Sequence, residues 1–555
     1  MNNGNNKPLA RTIMVQGTAS DVGKSILTAA FCRIFKEDGC SVAPFKSQNM
    51  SLNSYVTWDG KEIGRAQGMQ ADACGILATT DMNPILLKPK KDMVSQVVVH
   101  GKPLGDFAAR VYREQVLAEA AAIVRQSLQT LRENYDIVVL EGAGSPAEIN
   151  LKDRDIVNMR AADWAEAPVV LVADIDRGGM FASIVGTLEL LEPEERDRVC
   201  GFIVNKFRGD VSLLQPGLDW LEAKTGKPVL GVVPYLPDLG LEDEDSLSLD
   251  SSSQSRGSAE ISGSTQENTL DIAVLRLPHI SNFTDIDPLR FEPDVRLRFI
   301  TGKQQWGSPD AVIIPGSKNT VDDLLFLREN GLADCLERHI QGGGHTVGIC
   351  GGYEMFGERL LDPLHTESDK DETPGFGWFP FDVTFAAEKR TERACGDAQI
   401  PGLDGVYTVE GFEIHMGEVH WREELTHSRV ESAPCRPFRL RDMRQDREEL
   451  EGSGGVREGS NGDGRGSGLI ADGCASADGR VWGTFLHGIL HNDDFRRAWL
   501  NRMRVERGLE PLPAGVRVHE RREEAFRRLA EHVRTYVDMD RIGHFMGMNN
   551  MEAKR

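Results

Sequence analysis

The chain has 555 residues, 40% of them hydrophobic, which is too long for one core and enough for roughly three units or two large domains. Its formal net charge of −22 argues against a nucleic-acid surface, which needs a basic footprint. No apolar run approaches a membrane span and the polar start Met1-Asn2-Asn3-Gly4 is not a signal peptide; nine scattered cysteines without a C-x-x-C pair suit a cytoplasmic enzyme with reduced thiols, not a disulfide framework or zinc site.

Short apolar runs alternate with helical stretches from residue 11 to about 240, with strands expected at Thr12–Val15, Ser41–Pro44, Ile137–Leu140, Val169–Ala173, Gly201–Val204 and Val229–Val233. This alternation predicts βαβ units and a doubly wound, mostly parallel sheet, whose ligands gather beyond the carboxyl ends of the strands. The first strand runs into Gln16-Gly17-Thr18-Ala19-Ser20-Asp21-Val22-Gly23-Lys24-Ser25 and then a helix, the setting in which Gly-Lys-Ser binds phosphate. Backbone N–H groups of the turn and of the helix start would face the anion, Lys24 would add charge, and Ser25 could hold Mg²⁺. Five residues separate Gly17 from Gly23, one more than usual. A tight turn that binds nothing is the plain alternative; a nucleoside triphosphate is the expectation. At later strand ends stand Lys46, Glu141, Asp174 with Asp176, and Asn205. Glu141 is placed to hold the phosphate-bound Mg²⁺, directly or through water, or else to cap a nearby helix. Asp174-Ile175-Asp176-Arg177-Gly178-Gly179 either reaches metal and phosphate or forms the turn that begins the next helix.

Residues 241–270 are serine-rich and acidic, the composition of a flexible linker, so the first domain is set at 8–240. A second α/β unit follows over 271–508, interrupted at about 445–468 by a glycine-rich charged insertion expected to be disordered. Its strand Thr346-Val347-Gly348-Ile349 enters Cys350-Gly351-Gly352, the thiol form of a nucleophile elbow. The N–H of Gly351 and the turn at Gly316-Ser317 would supply an oxyanion hole. A small cysteine buried between glycines is the competing reading. His487, directly after Val481-Trp482-Gly483-Thr484-Phe485-Leu486, tips the balance as a base for Cys350; His415 is the other candidate and is read as a supporting residue. Residue 489 is Ile, so no acid stands two positions beyond His487. In the extension 509–555, the stretch His519–Val537 carries apolar positions at Ala525, Phe526, Leu529 and Val533, and reads as a terminal helix packed on the second domain.

A phosphate site and a Cys–His site in one chain suggest that the thiolate releases ammonia from glutamine while ATP makes a carboxylate electrophilic, giving an amide. Specific motifs then add a resemblance. Phe45-Lys46-Ser47-Gln48-Asn49-Met50-Ser51-Leu52-Asn53, Met82-Asn83-Pro84-Ile85-Leu86-Leu87-Lys88-Pro89, Glu141-Gly142-Ala143-Gly144-Ser145-Pro146, Ile280-Ser281-Asn282-Phe283-Thr284-Asp285 and Pro315-Gly316-Ser317-Lys318-Asn319-Thr320 resemble the cobyric acid synthase family over nearly the whole chain. The resemblance implies a dethiobiotin-synthetase-like P-loop domain, then a class I glutamine-amidotransferase-like domain. It implies ATP and Mg²⁺ as cofactors, glutamine as nitrogen donor, and adenosylcobyrinic acid a,c-diamide as the corrin substrate, amidated at b, d, e and g. It makes Cys350 the nucleophile and His487 its base, and matches Thr18, Asp21, Gly23, Lys24, Ser25 and Lys46 to nucleotide positions and Ser25 with Glu141 to the metal. The third triad member usual in other amidotransferases is missing from its place, leaving the orienter of His487 unassigned. Rival readings are the sister enzyme that amidates positions a and c, and a P-loop switch ATPase carrying an inactive amidotransferase-like binding domain. Nucleic acid and membrane are not expected partners, and oligomeric state is not legible.

Overall fold

A computed structural model describes residues 8–241, 268–422, 435–444 and 469–548, apart from 92 and 238. Nearly all of the predicted linker and the whole of the 445–468 insertion lie outside them. Two compact units are present, one from Met1–Ser51, Glu62–Glu244 and His519–Arg555, the other from Leu52–Lys61 and Asp245–Val518.

The first unit is built on six parallel strands in the order Val229–Pro234, Val199–Phe207, Val169–Asp174, Arg11–Gly17, Ile137–Glu141, Val42–Phe45. The central strands are near-continuous runs of Val, Ile and Leu, buried throughout, as expected where helices cover both faces. Arg11–Gly17 lies at the middle, where the strand order reverses, so its carboxyl end opens at the switch point of the sheet. A smaller sheet, Gln48–Met50, Ile85–Lys91, Val94–Val99 and Lys102–Ala108, belongs to the same part of the chain.

The terminal helix Val518–Tyr536 corrects the sequence reading. Its apolar positions are buried as expected, but Phe526, Leu529, Ala530 and Val533 join Phe31, Ile34, Phe35 and Leu230 in the core of the first unit. Arg522 pairs with Asp72 at 2.7 Å, and Arg534 with Asp38 at 2.6 Å. Amphipathic spacing specified the buried face without specifying what it meets.

The second unit carries the strands Val295–Ile300, Leu270–Leu275, Ala311–Ile314, His345–Ile349, Val481–Thr484 and Cys474–Ala475 in that order, parallel except for the last pair. Beside it stands a mostly antiparallel sheet organised by the long pair Phe381–Ala398 and Tyr407–Trp421. This sheet was not evident from sequence, because charged residues sit on both faces of its strands and blur the two-residue alternation. Among the described residues, no helix is long and apolar enough to cross a membrane.

Candidate active site

In the first unit, the turn after Gly17 delivers the helix Lys24–Glu37 with Gly23 at its N-cap, φ 97°. A side chain could not stand there, since a Cβ on Gly23 would lie 2.3 Å from Asn205 Nδ2. Lys24 is buried and its ammonium donates to the carbonyls of Ala19 (2.8 Å) and Gly144 (3.1 Å), spanning the mouth of the turn. The Ser25 hydroxyl donates to Glu141 Oε1 at 2.8 Å, and Lys46 Nζ meets the same oxygen at 2.9 Å. Gln70, which sequence reasoning missed, donates to Glu141 Oε2 at 2.6 Å. Four of the predicted residues therefore converge at the carboxyl ends of neighbouring strands. Thr18 and Asp21 form the wall of the turn: the Thr18 N–H donates to the Val172 carbonyl at 2.9 Å, and the Asp21 carbonyl accepts Lys206 Nζ at 2.5 Å.

Ser25 and Glu141 make a hard oxygen pair that suits Mg²⁺ completed by phosphate and water. Among the described residues no group of three or more His, Cys, Asp or Glu could hold a metal ion. Asp174 accepts the Asp176 N–H at 2.8 Å and pairs with Lys206 at 2.9 Å, while Asp176 pairs with Arg208 at 3.3 Å. Gly178 and Gly179, both in left-handed conformation, lead the segment into the helix Met180–Leu190.

In the second unit, Cys350 stands between the strand His345–Ile349 and a short helix at φ 51°, ψ −112°, the strained conformation of an elbow that lifts its side chain above the sheet. Close approach explains the flanking glycines. A Cβ on Gly351 would lie 3.0 Å from the Ser317 nitrogen, and one on Gly316 would lie 3.1 Å from His487 Cε1. The elbow, the Gly316-Ser317 turn and His487 thus share one small space. Burial pushes the Cys350 thiol well above its usual range, with the neighbouring Glu354 carboxylate adding to the rise and the Gly351 N–H opposing it. Burial also raises the Glu354 carboxyl, against the Thr320 hydroxyl that donates to it at 2.7 Å.

His487 is fully buried, its ring stacked on Phe412 at 5.0 Å between centroids. Its Nδ1 lies 2.6 Å from Asp285 Oδ2, while Asp285 Oδ1 accepts the Gly488 N–H at 2.8 Å. Asp285 is the orienter that the sequence left unassigned. It comes from the Phe283–Phe291 turn, 202 residues before His487, so no local spacing could reveal it. A carboxylate on Nδ1 fixes the proton there and leaves Nε2 as the basic nitrogen. His415 is committed elsewhere: it stacks on Phe485 at 3.7 Å, its Nδ1–H donates to the Gly417 carbonyl at 2.7 Å, and its Nε2 faces Glu413 at 3.6 Å. Its own strand nevertheless passes Cys350, whose thiol donates to the Ile414 carbonyl at 3.8 Å.

Comparison with known proteins accounts for both halves. Residues 13–249 match the CobQ/CobB/MinD/ParA nucleotide binding domain, and residues 271–495 the CobB/CobQ-like glutamine amidotransferase domain. The curated "Cobyric acid synthase" of Geobacillus kaustophilus is 49% identical over 97% of this chain and 98% of its own length. The chain belongs to the cobyric acid synthase family. A cobyric acid synthase of Desulforamulus reducens is 48% identical over 97% of this chain and 99% of its own, and one of Geobacillus thermodenitrificans 49% identical over 96% and 98%. Membership in the cobyric acid synthase family makes the chain a glutamine-hydrolysing amidation enzyme of cobalamin biosynthesis with a nucleotide-binding half.

Proposed function

We propose that the chain amidates the b, d, e and g carboxylates of adenosylcobyrinic acid a,c-diamide, using ATP with Mg²⁺ and glutamine, in the cytoplasm, where its nine free thiols stay reduced. The observation that carries this reading is the pairing, in one chain matched end to end by the family, of the Ser25–Glu141–Lys46 site with the Cys350–His487–Asp285 line.

At the glutaminase site, His487 Nε2 takes the thiol proton and the sulfur bonds to the glutamine carboxamide carbon. The Gly351 N–H and the Gly316-Ser317 turn hold the oxyanion that forms. The imidazolium, stabilised by Asp285, returns the proton to the departing nitrogen, releasing ammonia and leaving a thioester that water hydrolyses. At the nucleotide site, Lys24 and the first N–H groups of its helix bind the phosphates. A corrin carboxylate attacks the γ-phosphorus, ADP leaves, and ammonia displaces phosphate from the acyl phosphate. Mg²⁺ held by Ser25 and Glu141 would neutralise phosphate charge; Lys46, 2.9 Å from Glu141, holds that carboxylate in place. Phosphorylation is needed because oxide is a poor leaving group from a free carboxylate.

The test is mass spectrometry of adenosylcobyrinic acid a,c-diamide incubated with the purified protein, Mg²⁺-ATP and glutamine. Four successive carboxylate-to-amide conversions are expected. An untouched substrate, with cobyrinic acid gaining two amides instead, would assign the sister activity. ATP hydrolysis without any change in either corrin would favour the switch-ATPase reading.

A further inference from the structure

In the conformation described, neither member of the Cys–His pair is turned to the other. The thiol donates to the Ile414 carbonyl. The lone pair that should receive its proton faces the side-chain amide of Asn282, whose Nδ2 lies 3.3 Å from His487 Nε2. The orientation of that amide is fixed by its other end, because Asn282 Oδ1 accepts the backbone N–H of Ser54 at 2.9 Å, so the NH₂ group must face the ring. Asp285 holds the Nδ1 proton on the opposite side, and Asn282 therefore donates to Nε2. Both grips on the imidazole come from one turn, in which the Asp285 N–H donates to the Asn282 carbonyl at 3.1 Å. Asn282 itself is buried and sits in left-handed conformation at φ 51°.

Ser54 belongs to a ten-residue piece, Leu52–Lys61, that packs with the glutaminase unit although the chain on both sides of it, Ser51 and Glu62, belongs to the nucleotide-binding unit. The piece is the first arm and the turn of a hairpin: the strand Ser54–Val56, then a turn closed by the Thr57 N–H on the Lys61 carbonyl at 2.8 Å and the Gly60 N–H on the Thr57 carbonyl at 3.0 Å. Ser54 and Thr57 are fully buried, and Arg444 donates to the Asp59 carbonyl at 3.4 Å.

We propose that Asn282 is a lock on the general base, set by the Leu52–Lys61 hairpin and released when that hairpin shifts. The proposal rests on the glutaminase reading above and adds its regulation. An imidazole nitrogen has one in-plane lone pair, so while Asn282 donates to it, Nε2 cannot take the Cys350 proton. Loss of the Ser54 hydrogen bond frees the Asn282 amide to turn away, and Nε2 becomes available to the thiol. Because the hairpin is covalently continuous with the nucleotide-binding unit at both ends, a change of state in that unit reaches His487 through a short run of backbone and one side chain. Ammonia release is thereby tied to readiness of the half that uses it.

The test uses the full-length protein and two readings: glutamine hydrolysis with and without ATP plus corrin substrate, and the rate at which iodoacetamide alkylates Cys350. Asn282→Gly removes the donor and suits the left-handed backbone. Without ATP and corrin it is expected to raise both the hydrolysis rate and alkylation about 2- to 10-fold, the range that loss of one hydrogen bond gives, with the stimulated rate little changed. Ser54→Pro, which removes the N–H holding Asn282 and no group at the thiol, is expected to act in the same direction. A merely structural Asn282 would give the reverse, a fall in both rates. An unchanged ratio of stimulated to unstimulated hydrolysis in Asn282→Gly, in a protein whose unaltered form is stimulated, overturns the lock and leaves the glutaminase reading standing. Absence of glutamine hydrolysis from the unaltered protein under every condition overturns the glutaminase reading, and the lock with it.

Discussion

Asp285 and His487, 202 residues apart, meet at 2.6 Å, and the acid comes from the turn after the first strand of the amidotransferase unit. In the mechanism proposed above, the acid holds the Nδ1 tautomer and stabilises the imidazolium. Asp285→Asn keeps the shape and favours the wrong tautomer. It is expected to lower glutamine hydrolysis by about 10²- to 10⁴-fold. Ammonia-driven amidation should persist, because the other half does not use this residue; near-normal glutaminase in the variant would remove Asp285 from the mechanism.

A substitution at Cys350, the proposed nucleophile, separates the two activities most directly. Cys350→Ala should abolish amidation from glutamine and retain it from ammonium salts, assayed side by side on the same corrin. Equal loss with both nitrogen sources would place Cys350 outside ammonia production.

Lys24→Ala should show the opposite pattern and fail with either nitrogen source, since the ammonium serves carboxylate activation. Ser25→Ala and Glu141→Gln should follow it, because the pair they break, 2.8 Å across, is the one suited to Mg²⁺. Full ammonia-driven activity in Lys24→Ala would contradict the assignment of the phosphate site.

These residues differ in how far the sequence reveals them. The proposed phosphate turn is one contiguous stretch whose glycines, lysine and serine lie within a single strand–turn–helix, so its pattern is readable without tertiary knowledge. Cys350 and His487 each end an apolar strand and are legible for the same reason. Glu141 and Lys46 could be found because the carboxyl ends of parallel strands face one side. Asp285, Asn282 and Gln70 could not, since each acts on a partner brought near only by the folded topology. The terminal helix shows the same limit in packing terms: its apolar stripe is local information, while the surface that covers it is not.

Asp472 gives a pH-dependent prediction. It is buried, accepts hydrogen bonds from the Thr484 hydroxyl and the Phe485 N–H, and burial followed by the charge of Glu413 pushes its carboxyl up to about 6 from an ordinary 3.8. Its folded pKa exceeds its unfolded one, so the folded state binds the extra proton. The resulting stability is complete below about pH 4 and is lost as pH rises through about 6. Asp472→Asn keeps the accepting oxygen without the charge. It should raise the melting temperature of the amidotransferase unit at pH 8, by an amount corresponding to about 3 kcal/mol, and change it little at pH 4. A variant less stable than the parent at pH 8 would contradict the buried-charge account.

The corrected packing of the terminal helix can be tested through activity. Phe526 is fully buried among Ile34, Phe35 and Val537 of the nucleotide-binding unit. Phe526→Ala removes most of a large side chain from a packed core and should cost about 3–5 kcal/mol, because the surroundings only partly close the space. After brief heating over a series of temperatures, the variant should lose ammonia-driven amidation at markedly lower temperature than the parent, while glutamine hydrolysis survives to nearly the same temperature in both. The opposite order, with hydrolysis lost first, would return the helix to the amidotransferase unit. Since Phe526 lies more than 480 residues after the Lys24 turn, selective loss of amidation would also show that the nucleotide-binding unit depends on the far end of its own chain for part of its core.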